Sequence, residues 1–310
     1  MKRLALLFCL VAAPTARADE AFITNQIGDD VTIVDLTTLK PLATLTVGGK
    51  PAGIAVSRDG ARAFVTSPEG KYLSVIDAAA RRIERRIALA GGPIGVAVSP
   101  DGARVYVTDM FDARLYVVDT AAGALVSTIA IGAAPSGVAV SDDGALVVTA
   151  DRDANQISLI DARTLKVVGA VKVGAHPFGV TIAGGRIYTA NVMSNDVSVV
   201  DIETRKVVAT VPVQERPYAV ALARGKVFVT NQYSESVSVF DAQTFKPVKT
   251  IKVGEYPEGI VASSDGGRLF VANWFSNALY TIDSDTLQVV GKTATGDGPR
   301  AFGYFLRKTN

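Results

Sequence analysis

Short apolar runs rich in Val, Ile, Ala and Tyr recur along almost the whole chain, separated by Gly, Pro, Asp and Asn. That alternation is the rhythm of short strands joined by tight turns. In one representative stretch the pattern predicts four strands, at 95–99, 104–108, 114–119 and 124–131. One segment dissents: residues 78–89 read as a basic amphipathic helix, with Arg81, Arg82, Arg85 and Arg86 around Ile83 and Ile87. In register with the rest of the chain the same residues fall on an outermost strand, where positive side chains discourage edge-to-edge pairing. The register predicts a strand there.

The four-strand pattern repeats. Asp35, Asp77, Asp119, Asp161, Asp201, Asp241 and Asp283 each close an apolar run, at spacings of 42, 42, 42, 40, 40 and 42. Pro51, Pro93, Pro135, Pro177, Pro217, Pro257 and Pro299 keep the same spacings, and Gly or Ala follows two positions after each. A third series, Asn25, Ser67, Asp109, Asp151, Asn191, Asn231 and Asn273, lies 10 residues before the first. All length variation falls between the first and second strands of a unit, where Ser99-Pro100-Asp101-Gly102 is replaced by the two-residue turns Gly184-Gly185 and Arg224-Gly225. Seven such units predict an all-β chain, a seven-bladed β-propeller of four-stranded antiparallel blades. The chain starts at a second strand, 22–25, and ends on a lone first strand, 301–307. The C-terminal inner strand is therefore expected to join three N-terminal strands and close the ring.

Runs such as Val105-Tyr106-Val107-Thr108-Asp109 and Val227-Phe228-Val229-Thr230-Asn231, with the Pro-x-Gly and Ser-x-Asp-Gly elements, resemble the YVTN-repeat, YncE-like β-propeller family. The resemblance covers essentially the whole chain after the first 18 residues and is specific for fold. It implies a wide range of roles, since related propellers include accessory proteins, nucleic-acid binders, amine dehydrogenase subunits, haem d1 domains and lactonases.

The start of the chain changes the picture of where this fold works. Lys2 and Arg3, the apolar run from Leu4 to Ala13, Pro14, and Ala16 and Ala18 around Arg17 read as a secretory signal cleaved after Ala18. Residues 19–310 then form one propeller domain, expected in the periplasm, monomeric and without a membrane span, since the apolar run has about half the ~20 residues a spanning helix needs. Removal of residues 1–18 leaves 29 basic and 30 acidic residues and takes away Cys9, the single cysteine. Near-neutral charge argues against nucleic acid as the main partner, and without cysteine there is no disulfide, thiolate metal site or catalytic thiol.

Seven copies in one chain separate scaffold from site. The Asp series precedes turns and is expected to cap them through backbone N–H groups; the prolines and glycines are expected to set each inner strand. The residues flanking the prolines vary instead. On the face where blade-to-blade loops meet the loops between second and third strands, Lys50, His176, Phe178, Arg216, Tyr218, Tyr256, Glu258 and Arg300 stand with Tyr233 and Trp274 as the candidate ligand- or partner-binding set. Small residues around Gly92, Ile94, Ala134 and Ser136 suggest a cup open on one side. Two readings stand: these side chains plug the channel, Glu258 and Arg300 forming a rim ion pair, or Lys50, Arg216 and Arg300 hold an anionic group while Tyr218, Tyr256 and Trp274 pack its body.

Catalytic chemistry finds little material. His176 is the single histidine, so a Ser-His-Asp arrangement or a histidine-rich metal site has almost nothing to draw on. No cofactor is expected; the alternatives are haem through His176, or Ca²⁺ through oxygen ligands such as Asp109, Asp151, Asn191 and Glu258. The function expected is an exported, non-enzymatic binding or scaffolding propeller, accessory to a periplasmic oxidoreductase system by analogy with relatives, binding a small molecule or a periplasmic protein. The alternative is a metal-dependent lactonase or a cofactor-bearing oxidoreductase subunit.

Overall fold

The computed structural model describes residues 19–309; the expected leader and its cleavage after Ala18 lie outside the described residues. Seven four-stranded antiparallel sheets follow one another. Blade 1 holds Glu20–Asn25, Asp30–Asp35 and Lys40–Thr46 with Leu306–Arg307; blades 2 to 7 span 54–88, 93–130, 135–172, 177–212, 217–252 and 257–294. The basic segment forms the outermost strand Arg82–Ala88 of blade 2, as the register predicts. Its arginines are largely engaged with neighbours: Arg81 bonds Glu20, and Arg86 donates to the Val47 carbonyl. Among the described residues no helix is long and apolar enough to cross a membrane.

Each blade is packed between two others, so its central strands are buried on both faces and read as continuous apolar runs, while the outermost strand alternates. The core lies between blades. Phe22, Phe64, Tyr106, Tyr188, Phe228 and Phe270 occupy equivalent second-strand positions and are almost fully buried, each contributing about 1.5–3 kcal/mol by burial. A register shift at the same point between third and outermost strands, as at Val117/Val118 and Val199/Val200, bends every blade alike.

The repeated polar residues serve this scaffold. Asp161, Asp201 and Asp241 accept from the backbone N–H of Thr164, Thr204 and Thr244. The threonine at the end of the second strand ties one blade to the next: Thr24, Thr66, Thr108 and Thr230 donate to the carbonyls of Ala52, Ile94, Ser136 and Glu258. The buried Asn and Asp residues that follow bond within their own blade, Asn191 to Asp196 and Ser198, Asp109 to Tyr116 and the Gly92 N–H. Gly184-Gly185 and Arg224-Gly225 have positive φ at both positions and close two-residue hairpins.

The last segment closes the ring, but not as a regular strand over 301–307. Only Leu306–Arg307 pairs with the first strand in a ladder. Before it, the segment is shared between two blades: Phe305 accepts from the Phe22 N–H, while Phe302 and Tyr304 accept from Ile54 and Val56 of blade 2. Gly303 makes this possible, with φ of 128° and no room for a Cβ, which would lie 2.2 Å from Ile54 O.

Candidate functional site

The loop between second and third strands folds back onto the residue preceding each proline. Val192, Gln232 and Trp274 donate backbone N–H groups to the carbonyls of His176, Arg216 and Tyr256, each at 2.9 Å. Lys50, His176, Arg216 and Tyr256 all have φ near 55–57°, a left-handed conformation unusual for non-glycine residues. It is held in part by side-chain acceptors, since the N–H groups of Lys50, His176 and Arg216 donate to Asp29, Asn155 and Asn195. One face of the ring, the hairpin face, therefore carries every sequence-selected candidate.

The axis at this face is filled. Phe178 and Tyr218 stack with centroids 4.3 Å apart, and Phe302 meets them at 5.0 and 5.5 Å. All three are buried. Beside them Arg300 Nε lies 3.0 Å from a Glu258 carboxylate oxygen and donates to the Tyr218 hydroxyl at 3.0 Å, while its Nη1 donates to Gln26 at 2.9 Å. Gln232 donates to the other Glu258 oxygen at 2.9 Å. This ion pair belongs to the interior rather than the rim, as Glu258 is 3% exposed. Burial pushes the Glu258 carboxyl up to about 7 against the pull of Arg300, and pushes the Tyr218 phenol far above its usual range. For Arg300, burial opposes the charge, but Glu258 and Tyr218 outweigh it and hold the guanidinium cationic.

Around this floor the other candidates separate. Trp274 lies under Arg300, 5.6 Å from ring to guanidinium. Arg216 sits over Tyr233 at 5.2 Å, and Tyr233, Tyr256 and Phe275 form a chain of ring contacts at 5.7 and 5.2 Å. Lys50 is paired with Asp29 at 3.1 Å. His176 is half-buried; the neighbouring Asp153 carboxyl is lowered by Arg152 first and by His176 as a lesser influence. Lys50, Arg216 and Arg300 thus have separate partners.

The sequence candidates do not include Gln26, Gln232 or Phe302, and of the side chains that stand outermost they include Tyr233 but not Ile27, Phe111 or Met193. At the second position of each hairpin loop are Ile27, Glu69, Phe111, Asp153, Met193, Tyr233 and Phe275. The five apolar ones are exposed by 53, 75, 48, 57 and 62% for Ile27, Phe111, Met193, Tyr233 and Phe275. Alignment of the repeats at that position is the signal that finds them.

The opposite face differs. A cavity of about 630 Å³ opens there, lined by inner-strand residues such as Val98, Val140, Ile182 and Leu222, with Arg58, Tyr304 and Lys308 among its more polar groups. None of the ten candidate residues lines it. Haem needs an axial ligand beside a slot for its ring. His176 does not line this cavity, whose wall has no histidine, cysteine or methionine, and its Tyr304 phenol is raised by burial and so stays protonated. The wall of this cavity thus supplies no histidine, cysteine or methionine ligand for a haem. Nor, among the described residues, do three His, Cys, Asp or Glu side chains gather to hold a metal ion; Asp109, Asp151 and Asn191 bond within separate blades.

Comparison with known proteins adds what the chain is similar to. Residues 13–97 match the family described as YNCE-like beta-propeller, and residues 79–179 the one described as Cytochrome D1 heme domain. No curated protein matches the chain. Among solved structures it is similar to Kuenenia stuttgartiensis Hydrazine Synthase, at 21% identity and a TM-score of 0.74 over 81% of this chain and 88% of that one. It is also similar to a functionally unknown protein from Desulfotomaculum acetoxidans DSM 771, at 17% identity and a TM-score of 0.80 over 91% and 98%. At such identities the likeness is one of fold. The YNCE-like match over residues 13–97, with the ring of seven four-stranded blades, makes the chain similar to YncE-like seven-bladed β-propellers.

Proposed function

We propose that the protein is an exported, non-enzymatic binding or scaffolding propeller, cleaved after Ala18 and working in the periplasm as a single domain over 19–310. Its partner docks on the hairpin face. The observation that carries this reading is the combination of a filled axis with exposed apolar side chains around it: Phe178, Tyr218 and Phe302 form the floor, and Ile27, Phe111, Met193, Tyr233 and Phe275 stand above it. A small molecule binds best in a concavity that covers most of its surface; projecting apolar groups over a closed floor suit a protein surface.

The similarity to Hydrazine Synthase and the cytochrome D1 match support a place beside an oxidoreductase system. A second reading, a cofactor-bearing oxidoreductase component, is favoured by the range of the cytochrome D1 match, which includes His176. A haem absorbance band in the gently purified protein, lost in His176→Ala, is its signature.

Photo-crosslinking in producing cells tests the docking reading. A photoreactive residue at Phe111, Tyr233 or Phe275 is expected to give a discrete protein adduct, and one at Val168 on the circumference is not. Adducts at Val168 alone, or at none of the four positions, overturn it.

A further inference from the structure

The hairpin face is not uniform around the ring. Two positions before each proline the chain has Gly49, Gly91, Ala133 and Ala175, then Glu215, Glu255 and Asp297. The three acids are exposed, and they fall on consecutive connections, from blade 5 to 6, 6 to 7 and 7 to 1. Each is set directly against one of the projecting apolar residues. Phe275 donates its N–H to the Glu255 carbonyl, Ile27 donates to that of Asp297, and the Glu215 N–H bonds Ser234, the neighbour of Tyr233. Glu215 and Glu255 make no ion pair among the described residues, and the Asp297 carboxylate accepts from the neutral Asn277 amide. Next to Ile27, in contrast, Asp29 is paired with Lys50, whose Nζ also donates to the Ile27 carbonyl, and across the face Arg152 is paired with Asp153.

We propose that blades 6, 7 and 1 form a docking arc for a basic amphipathic segment of a partner protein, one that alternates lysine or arginine with large apolar side chains. The proposal rests on the reading of the hairpin face as a docking surface and specifies the partner's chemistry. The arc repeats one unit three times, a projecting apolar group beside a solvated carboxylate: Tyr233 with Glu215, Phe275 with Glu255, Ile27 with Asp297. An extended cationic chain can satisfy both members of each unit, placing apolar side chains against the rings and ammonium or guanidinium groups against the carboxylates. Of the cations beside the arc, Lys50 is paired with Asp29, Lys252 with Glu235 and Arg300 with Glu258, which leaves the half-buried Arg216. It is drawn over the Tyr233 ring, so the three carboxylates dominate the local charge. An acidic or neutral apolar partner would leave them without counter-charge where water is excluded.

Fluorescence titration of the purified protein with three labelled synthetic peptides tests the arc: alternating lysine and leucine, lysine and serine, and glutamate and leucine. The lysine–leucine peptide is expected to bind, more weakly as salt is raised, and the other two to bind far less. The triple variant Glu215→Gln/Glu255→Gln/Asp297→Asn is expected to weaken binding by roughly tenfold, the combined effect of three partly screened charges. Failure of the lysine–leucine peptide to bind, equal binding of the glutamate–leucine peptide, or an unaffected triple variant overturns the proposal. Tyr233→Ser/Phe275→Ser separates the two levels. If it abolishes binding while the carboxamide variant does not, the charge assignment falls and the docking face stands; if neither variant changes binding, the docking face falls too.

Discussion

Glu20 and Arg307, 287 positions apart, form a buried ion pair, Nη1 to Oε2 2.7 Å, that joins the two ends of the described chain inside blade 1. Arg81 of blade 2 reaches the other Glu20 oxygen at 2.8 Å, and Arg307 also donates to the Gly60 carbonyl. The seam of the ring is thus held by charge as well as by the packing of Phe302, Phe305 and Leu306. Stranding one partner of a buried pair typically costs about 3–5 kcal/mol, out of a total stability of about 5–15 kcal/mol. Arg307→Ala should lower the thermal midpoint well below that of the parent, and truncation after Pro299 should leave no cooperative transition in circular dichroism. A truncated chain that stays soluble and melts cooperatively would show that the seam is dispensable.

Glu258 gives the fold a pH dependence of known sign. Its carboxyl is raised from 4.5 to about 7 by burial, so between those values the folded state holds a proton that the unfolded state has released. Stability contributed by the neutral form is complete below about 4.5, declines as pH rises towards 7, and is flat above. Denaturant unfolding across this window should show a negative slope that Glu258→Gln reduces. A Glu258→Gln protein with the parent's slope would assign the dependence to another group.

The threonine bridges between blades can be weighed singly. Thr108 Oγ1 donates to the Ser136 carbonyl at 2.6 Å and accepts from the Gly95 N–H at 2.9 Å, all within the interior. Thr108→Val keeps the shape and leaves a buried donor and acceptor unpaired, which should cost about 1–3 kcal/mol. Urea unfolding measures it. A change below a few tenths of a kcal/mol would mean that the blades hold one another by apolar contact alone.

Much of the fold was legible before any coordinates. Asp161, Asp201 and Asp241 could be read as turn caps because a carboxylate bonding an N–H three residues on is a local event. Residues 82–88 could be placed in a strand because the register overrode a helical periodicity of their own. The site was legible only as a set of positions. That Glu258 and Arg300 are neighbours follows from their equivalent places beside adjacent prolines, but their burial does not, since it depends on Phe302 lying beside Tyr218. Phe302 stands three residues after its proline, whereas Phe178 and Tyr218 stand one after theirs. No alignment of repeats would bring the three together.

The sequence alone determined the number of blades, the order of strands and the face on which each loop emerges, because these follow from local periodicity repeated at a nearly constant interval. Only the tertiary structure decided which end of the channel is closed and which is open. The last inner strand is pulled out of regular pairing to bond blades 1 and 2 together, and that displacement puts Phe302 on the axis. Closure of a ring is a constraint on the whole chain at once, and no single repeat encodes it.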